Sequence, residues 1–239
     1  MSLEQEAVEL SPVFGGTLAG GSMPNPSLWL GGGVAGMVGI GCYILAITVP
    51  WPETQLGTSA SLVVVSAWPI LSIIYSYALY SFVAAEREGV ANRLGLVFAI
   101  TAFTTVLAMI VVQLAVGSGV AEITRDLDEQ TARALGRGLR MVDLGLDVAW
   151  DMLIGTALIF SGFAIRKRSG LGLGWAIPSM ALGIALIGLN AATFPWPPGD
   201  RGLFDIGPVI GMFVLLLSAR LTLLGRRALP AAVTPLARR

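Results

Sequence analysis

The chain has 239 residues, of which 55% are hydrophobic and 13% charged, and its net charge is zero. A water-soluble globule needs more surface charge, so the composition indicates an integral membrane protein whose partner is the lipid bilayer. The balanced net charge excludes a basic surface for binding nucleic acid. With no histidine and a single cysteine, Cys42, the chain lacks the residues for histidine-ligated haem, histidine-containing zinc motifs, disulfides and Ser-His or Cys-His hydrolases. We therefore expect no cofactor, and the sequence favours a role other than catalysis.

Six apolar stretches are each long enough to cross a hydrocarbon core of ~30 Å, which takes about 20 helical residues. They run from Leu28 to Val49, Leu62 to Ala84, Leu94 to Val116, Met141 to Ile165, Leu171 to Phe194 and Leu203 to Leu224. The predicted fold is all-α, a multi-pass bundle of six transmembrane helices across residues 28–224. A disordered N-terminal tail, residues 1–27, and a basic C-terminal tail, residues 225–239, are expected to flank it.

The basic residues alternate between the two sides of this predicted bundle. They follow the second, fourth and sixth spans: Arg87, Arg93, Arg166, Lys167, Arg168, Arg226, Arg227, Arg238 and Arg239. Because cytoplasmic loops carry the excess of Lys and Arg, both termini are predicted to be cytoplasmic.

The first span and the start of the last are rich in glycine. The glycines lie at positions 31, 32, 33, 36, 39 and 41, and at 207 and 211. Small residues let helix backbones approach closely, so these two helices are predicted to pack inside the bundle. Alternatively, such a face could bind a partner membrane protein or a second copy of the chain.

The connection between the third and fourth spans, from about Gly117 to Arg140, is the only long one. Its apolar residues Ile123, Leu127, Leu135 and Leu139 recur near helical spacing. This pattern predicts an amphipathic helix on the outer surface, which either rests on lipid headgroups or covers an outward-facing cavity.

The fourth span carries three acidic residues, Asp143, Asp147 and Asp151, four positions apart. On a helix they lie within an arc of about 80°, which also includes Arg140. An aspartate at the centre of a membrane helix costs ~2.5–3.5 kcal/mol on insertion scales, so these side chains are expected to face the bundle interior or a water-filled cavity. The stripe predicts a site that binds a ligand or a proton. The alternative is a buried Arg–Asp network that fixes helix packing.

Three more polar residues fall at a similar predicted depth: Asn190, Gln113 and Asp205. They could complete a polar vestibule open to the outer side, with Asn190 as a binding residue. Alternatively, Asn190 and Gln113 join helices by hydrogen bonds, and Asp205 caps the sixth helix.

Five residues resemble fragments of the CDP-alcohol phosphatidyltransferase signature: Asp128, Ala132, Arg133, Asp143 and Asp147. That family uses D-x2-D-G-x2-A-R followed by G-x3-D-x3-D, and the resemblance implies aspartates that bind divalent metals and the CDP diphosphate. The sequence departs from the signature, since Asp126 and Asp128 are one residue apart instead of two, and Glu129 and Leu139 replace the two glycines. The first half of the signature also lies on the predicted outer side of the membrane, where cytosolic CDP-alcohols are absent.

The segments GLDVAWD and LNAATFPWPPGDRGLFDIGP, within the last hundred residues, resemble uncharacterised bacterial membrane proteins known only as domains of unknown function. The resemblance implies a six-helix protein of the bacterial inner membrane and no particular activity.

Three functions remain open from the sequence. The first is a small transporter or sensor with an outward-facing acidic site on the fourth helix, and the second is an accessory or structural membrane subunit. The third is a metal-dependent lipid enzyme of the phosphatidyltransferase type.

Overall fold

The computed structural model describes residues 25–51 and 54–233, and within these ranges the chain is helical, with no strand. Its elements are α1 (Pro26–Thr48), α2 (Gln55–Ala84), α3 (Val90–Ile123), α4 (Glu129–Ile165), α5 (Leu173–Thr193), a short 3-10 helix (Pro198–Arg201) and α6 (Gly207–Val233). All six α-helices are long and apolar enough to cross a membrane, which confirms the predicted multi-pass bundle. Most of the predicted tails lie outside the described residues, but α1 begins at Pro26 and α6 continues to Val233.

The helices are arranged as a nearly closed ring in the order α5, α4, α3, α2, α1, α6. Each helix packs along its neighbours in this order, whereas α5 and α6, which complete the ring, touch each other only slightly. The ring leaves a seam between α5 and α6 and an interior that all six helices can line.

The glycines of α1 are used for contacts inside the bundle. A Cβ atom on Gly33 would lie 2.7 Å from the carbonyl oxygen of Ser218 in α6, and one on Gly32 would collide with Ala78 in α2. Gly36 faces both Ser218 and Tyr75. The predicted close packing is confirmed for Gly32, Gly33, Gly36 and Gly39 of α1, which lie against α2 or α6. Gly31 and Gly41 of α1 and Gly211 of α6 meet no neighbour within 4 Å, so the glycines at the start of α6 do not form the predicted packing face.

One end of the bundle gathers the basic loops, and we call it the basic end; it comprises the starts of α1, α3 and α5 and the ends of α2, α4 and α6. Here Glu86, which follows α2, accepts hydrogen bonds from Arg168 and from the backbone and hydroxyl of Ser169. Arg220 of α6 donates two hydrogen bonds, of 3.0 and 2.9 Å, to the carbonyl oxygen of Gly170. The hydrogen bonds from Arg168 and Ser169 lower the pKa of Glu86 to about 2. These contacts tie the loops after α2 and α4 to α6.

At the opposite end, α3 and α4 are longer than a membrane requires. With 34 and 37 residues they measure about 51 and 55 Å, against a hydrocarbon core of ~30 Å. The segment predicted as an amphipathic surface helix is helical, but it is divided between the end of α3 and the start of α4 around a turn at residues 124–128. Asp128 caps α4 by accepting from the backbone amides of Gln130 and Thr131 at 3.0 Å each. The two helices therefore form a hairpin that extends beyond the membrane.

Candidate functional site

A cavity of about 370 Å³ lies inside the ring, at the end opposite the basic end. All six helices contribute to its walls, and the connection between α5 and α6, including the 3-10 helix, lies across it. We call it the central cavity. Its volume falls within the range of ~300–1,000 Å³ that is usual for small-molecule sites.

Four carboxylates line the central cavity: Asp147 and Asp151 from α4, Asp200 from the 3-10 helix and Asp205 from the residues just before α6. Asp205 interacts electrostatically with Asp147 and Asp151. Asp151 is 14 positions from the last residue of α4, so it lies about 21 Å from the basic end, within the candidate membrane span. The lining contains no lysine or arginine, and this wall of the cavity is consequently acidic.

Asp205 has a second role, which the sequence analysis anticipated. Its Oδ1 accepts a hydrogen bond of 2.8 Å from the backbone amide of Gly207, the first residue of α6. The cap fixes the carboxylate at the cavity wall.

Asn190 of α5 lies directly behind Asp151. The residue is completely buried, and its Nδ2 donates to Oδ2 of Asp151 at 2.8 Å and to the carbonyl oxygen of Leu186 at 3.0 Å. Its Oδ1 has no hydrogen-bond partner among the described residues. Asn190 is therefore brought to the acidic site as predicted, where it positions a carboxylate without lining the cavity itself.

Asp143 and Arg140, the other two predicted site residues, line a different space, a groove between α3 and α4. Asp143 accepts a hydrogen bond of 2.7 Å from Nε2 of Gln113, so this pair joins the two helices of the hairpin. Arg140 is mostly exposed and pairs with Asp200 of the 3-10 helix at 3.3 Å. The predicted acidic stripe on α4 is therefore divided. Arg140 and Asp143 face α3 and the α5–α6 connection, whereas Asp147 and Asp151 face the bundle interior.

Aromatic side chains form another wall of the central cavity, which the sequence analysis did not identify. They come from four different helices: Tyr43 of α1, Trp68 of α2, Phe103 of α3 and Trp150 of α4. Trp68 is the centre of the group, with ring centroids 4.5 Å from Tyr43, 5.8 Å from Trp150 and 6.5 Å from Phe103. We call these four residues the aromatic wall. The sequence did contain a sign of this wall, because Trp68 and Trp150 lie in the middle of spans, whereas tryptophan usually lies at the membrane interfaces.

Two hydrogen-bonding groups in the cavity lining have no partner among the described residues. The hydroxyl of Ser72, a residue only 2% exposed, makes no side-chain hydrogen bond, although the Ser72 backbone carbonyl accepts from Ser76. Nε1 of Trp150 is buried and also unpaired. The Ser72 hydroxyl is therefore available to water or to a ligand in the cavity, whereas Nε1 of Trp150 has almost no accessible surface and does not open onto the cavity.

No protein-family model, curated protein or solved structure matches this chain. What the cavity binds must therefore be inferred from its own residues.

The residues that resemble the phosphatidyltransferase signature do not converge. Asp128 caps the start of α4, and Asp143 is 15 positions further along the same helix, or about 22 Å away. Within residues 25–51 and 54–233, no group of three or more acidic, histidine or cysteine side chains is arranged to hold a metal ion. The described residues thus do not assemble the paired-aspartate site that this resemblance implies.

Proposed function

We propose that this chain is a small transporter or sensor of the bacterial inner membrane whose central cavity binds a cation from the outer side. The observation that carries the proposal is the pair Asp147 and Asp151, two acids of the candidate span α4 that line a cavity, where Asp151 is also held by Asn190 of α5. Ionisable residues within membrane helices are costly and usually mark a binding site or an ion pathway.

The charge of the cavity supports a cationic ligand. Four carboxylates line the cavity and the lining contains no lysine or arginine, and a low-dielectric surrounding strengthens their attraction for a positive charge. One of the four, Asp200, is paired with the guanidinium of Arg140.

The position of the cavity supports access from outside the cell. The basic end carries the arginines and lysine that the positive-inside rule places in the cytoplasm, and the central cavity lies at the other end. The α3–α4 hairpin then extends into the outer aqueous space.

Reaction of engineered cysteines with charged thiol reagents tests this proposal. In a Cys42→Ala background, Gly211→Cys places a thiol on the cavity lining, where a Cβ atom meets no neighbour within 4 Å. Val97→Cys, at a residue 57% exposed on the outside of α3, is the matched control. In right-side-out vesicles, the cationic reagent MTSET should modify the Gly211→Cys thiol at least about tenfold faster than the anionic MTSES, and neither should modify Val97→Cys.

The preference for MTSET should fall when Asp147 and Asp151 are both replaced by Asn. Equal rates with the two reagents would contradict a cation site, and labelling only in inverted vesicles would contradict the outward orientation. An inert Gly211→Cys thiol would mean that the cavity holds no water.

The alternative is an accessory membrane subunit in which the Asn190–Asp151 contact is only a packing link. It requires an external partner surface, and four of the six α1 glycines that could have supplied one, at positions 32, 33, 36 and 39, are covered by α2 and α6. Purification of a monodisperse monomer with no associated protein would count against this alternative.

A further inference from the structure

The central cavity combines features that restrict the kind of cation it can hold. We propose that its ligand is an organic ammonium ion with an apolar body, held between the acidic wall and the aromatic wall. This inference rests on the proposed function, because it specifies the ligand of the same site.

The size of the cavity and the placement of its acids disfavour a bare metal ion. About 370 Å³ is far more than one ion occupies, and the carboxylates come from separate positions along α4, from the 3-10 helix and from the residues just before α6. In the part of the chain that the structure describes, they do not form a cluster with metal-ligand geometry. Hard cations such as Mg²⁺ and Ca²⁺ need six or more converging oxygen ligands.

The aromatic wall supplies what an ammonium ion needs besides opposite charge. Ammonium groups bind over the faces of tryptophan, tyrosine and phenylalanine within ~6 Å of the ring centroid. Tyr43, Trp68 and Trp150 adjoin Asp147 and Asp151 around the same space. A ligand can therefore place its charge near a carboxylate while its carbon atoms contact the rings.

Apolar residues of the lining lie on both sides of the α5–α6 seam. Leu186 comes from α5, and Ile210 and Val214 come from α6. This surface suits the hydrocarbon part of an amphipathic amine better than the hydration shell of a sodium or potassium ion.

An unpaired hydroxyl completes the recognition pattern. Ser72 lines the cavity with a hydroxyl that makes no hydrogen bond to the described residues, and this oxygen can accept from an N–H of the ligand. The site thus offers a carboxylate, an aromatic face and a hydroxyl acceptor within one enclosed space.

Isothermal titration calorimetry on the full chain in neutral-lipid nanodiscs tests the inference. The probe is 4-phenylbutylammonium at pH 7, and the matched neutral control is 4-phenylbutan-1-ol, with protein-free nanodiscs to correct for partition into lipid. We expect saturable binding of the amine, no saturable binding of the alcohol, and no competition from sodium, potassium or magnesium chloride. Asp151→Asn should weaken the binding of the amine at least about tenfold.

Two pairs of variants separate the aromatic contribution from simple packing. Tyr43→Leu and Trp150→Leu should each weaken the binding of the amine about fivefold, whereas Tyr43→Phe and Trp150→Phe retain a ring and should weaken it less than about twofold. If Trp150→Leu does not fold, Tyr43→Leu decides the matter, because Tyr43 is 38% exposed and its replacement leaves the core intact.

The outcomes distinguish the two proposals. Binding of sodium or potassium that Asp151→Asn abolishes, without binding of the amine, would overturn the ligand class and leave the cation site standing. Equal binding of amine and alcohol would overturn the ammonium inference, as would identical losses in the Leu and Phe variants. Absence of binding by any of these cations would overturn both proposals.

Discussion

Asn190 donates a hydrogen bond of 2.8 Å from its Nδ2 to Oδ2 of Asp151 and so links α5 to α4 beside the central cavity. The buried amide holds the carboxylate in one orientation. Removal of either residue should destabilise the protein, because it leaves a buried polar group without its hydrogen-bond partner.

Replacement of Asn190 by Leu should lower the free energy of unfolding by about 1–3 kcal/mol. Thermal unfolding in detergent, followed by circular dichroism, measures the change. A double-mutant cycle with Asp151→Leu isolates the contact, and we expect a coupling energy of about 1 kcal/mol. Fully additive effects of the two substitutions would contradict an energetic role for this hydrogen bond.

The close approach of α1 and α6 at Gly33 predicts a strong effect of a single methyl group. Gly33→Ala should destabilise the bundle by about 1–3 kcal/mol, because the added Cβ would lie 2.7 Å from the backbone oxygen of Ser218. Gly31→Ala, on the same helix with no neighbour within 4 Å, is the matched control and should be neutral or stabilising by up to about 1 kcal/mol. Equal thermal stability of the two variants would show that α1 and α6 do not pack in this way.

The contact of Glu86 with Arg168 and Ser169 predicts an acid-dependent loss of stability at the basic end. Hydrogen bonds from Arg168 and Ser169 lower the pKa of Glu86 from its ordinary value of 4.5 to about 2. A carboxyl whose pKa is lower in the folded state stabilises the fold fully above the unfolded pKa, and this contribution disappears as the pH falls from about 4.5 towards 2.

Because the Glu86 side chain is 38% exposed, solvent screening keeps the contribution at about 1 kcal/mol or less. Thermal unfolding measured between pH 6 and pH 3 should show a smaller decline in Glu86→Gln than in the unsubstituted protein. Glu129→Gln, at the more exposed pair with Arg133, is the control. A pH profile unchanged by Glu86→Gln would contradict the assignment.

The pairing of Arg140 with Asp200 predicts an effect on binding and little effect on stability. Arg140→Gln frees a carboxylate at the rim of the central cavity, so the affinity for a bound cation should rise about two- to fivefold at low salt. The change in the free energy of unfolding should stay below about 1 kcal/mol, since the pair is exposed.

Titration of the proteins with 4-phenylbutylammonium at low and high ionic strength measures the effect of Arg140→Gln. Arg133→Gln, which removes a similarly exposed pair with Glu129 further along the hairpin, should leave the affinity unchanged. A decrease in affinity in Arg140→Gln would mean that Arg140 supports the site by some other means than its charge.

The sequence by itself determined the six spans, because about 20 consecutive apolar residues have no stable place outside the hydrocarbon core and must satisfy their backbone as helices. It also determined which helix carries the unusual acids, since charge in the middle of a span is visible in the residue order. The close packing of α1 followed from its glycine spacing, whereas the glycines at the start of α6 meet no other helix.

Only the tertiary structure decided which of these aspartates line the central cavity and which faces α3. Asp143, Asp147 and Asp151 share one face of α4, but what lies opposite each depends on the rotation and offset of neighbouring helices, which helical periodicity does not encode. The aromatic wall is assembled from four helices in the same way, so Trp68 and Trp150, 82 positions apart in the sequence, meet only once the ring is formed. Helix propensity and hydropathy act over local segments, whereas a cavity is shaped by contacts between distant ones.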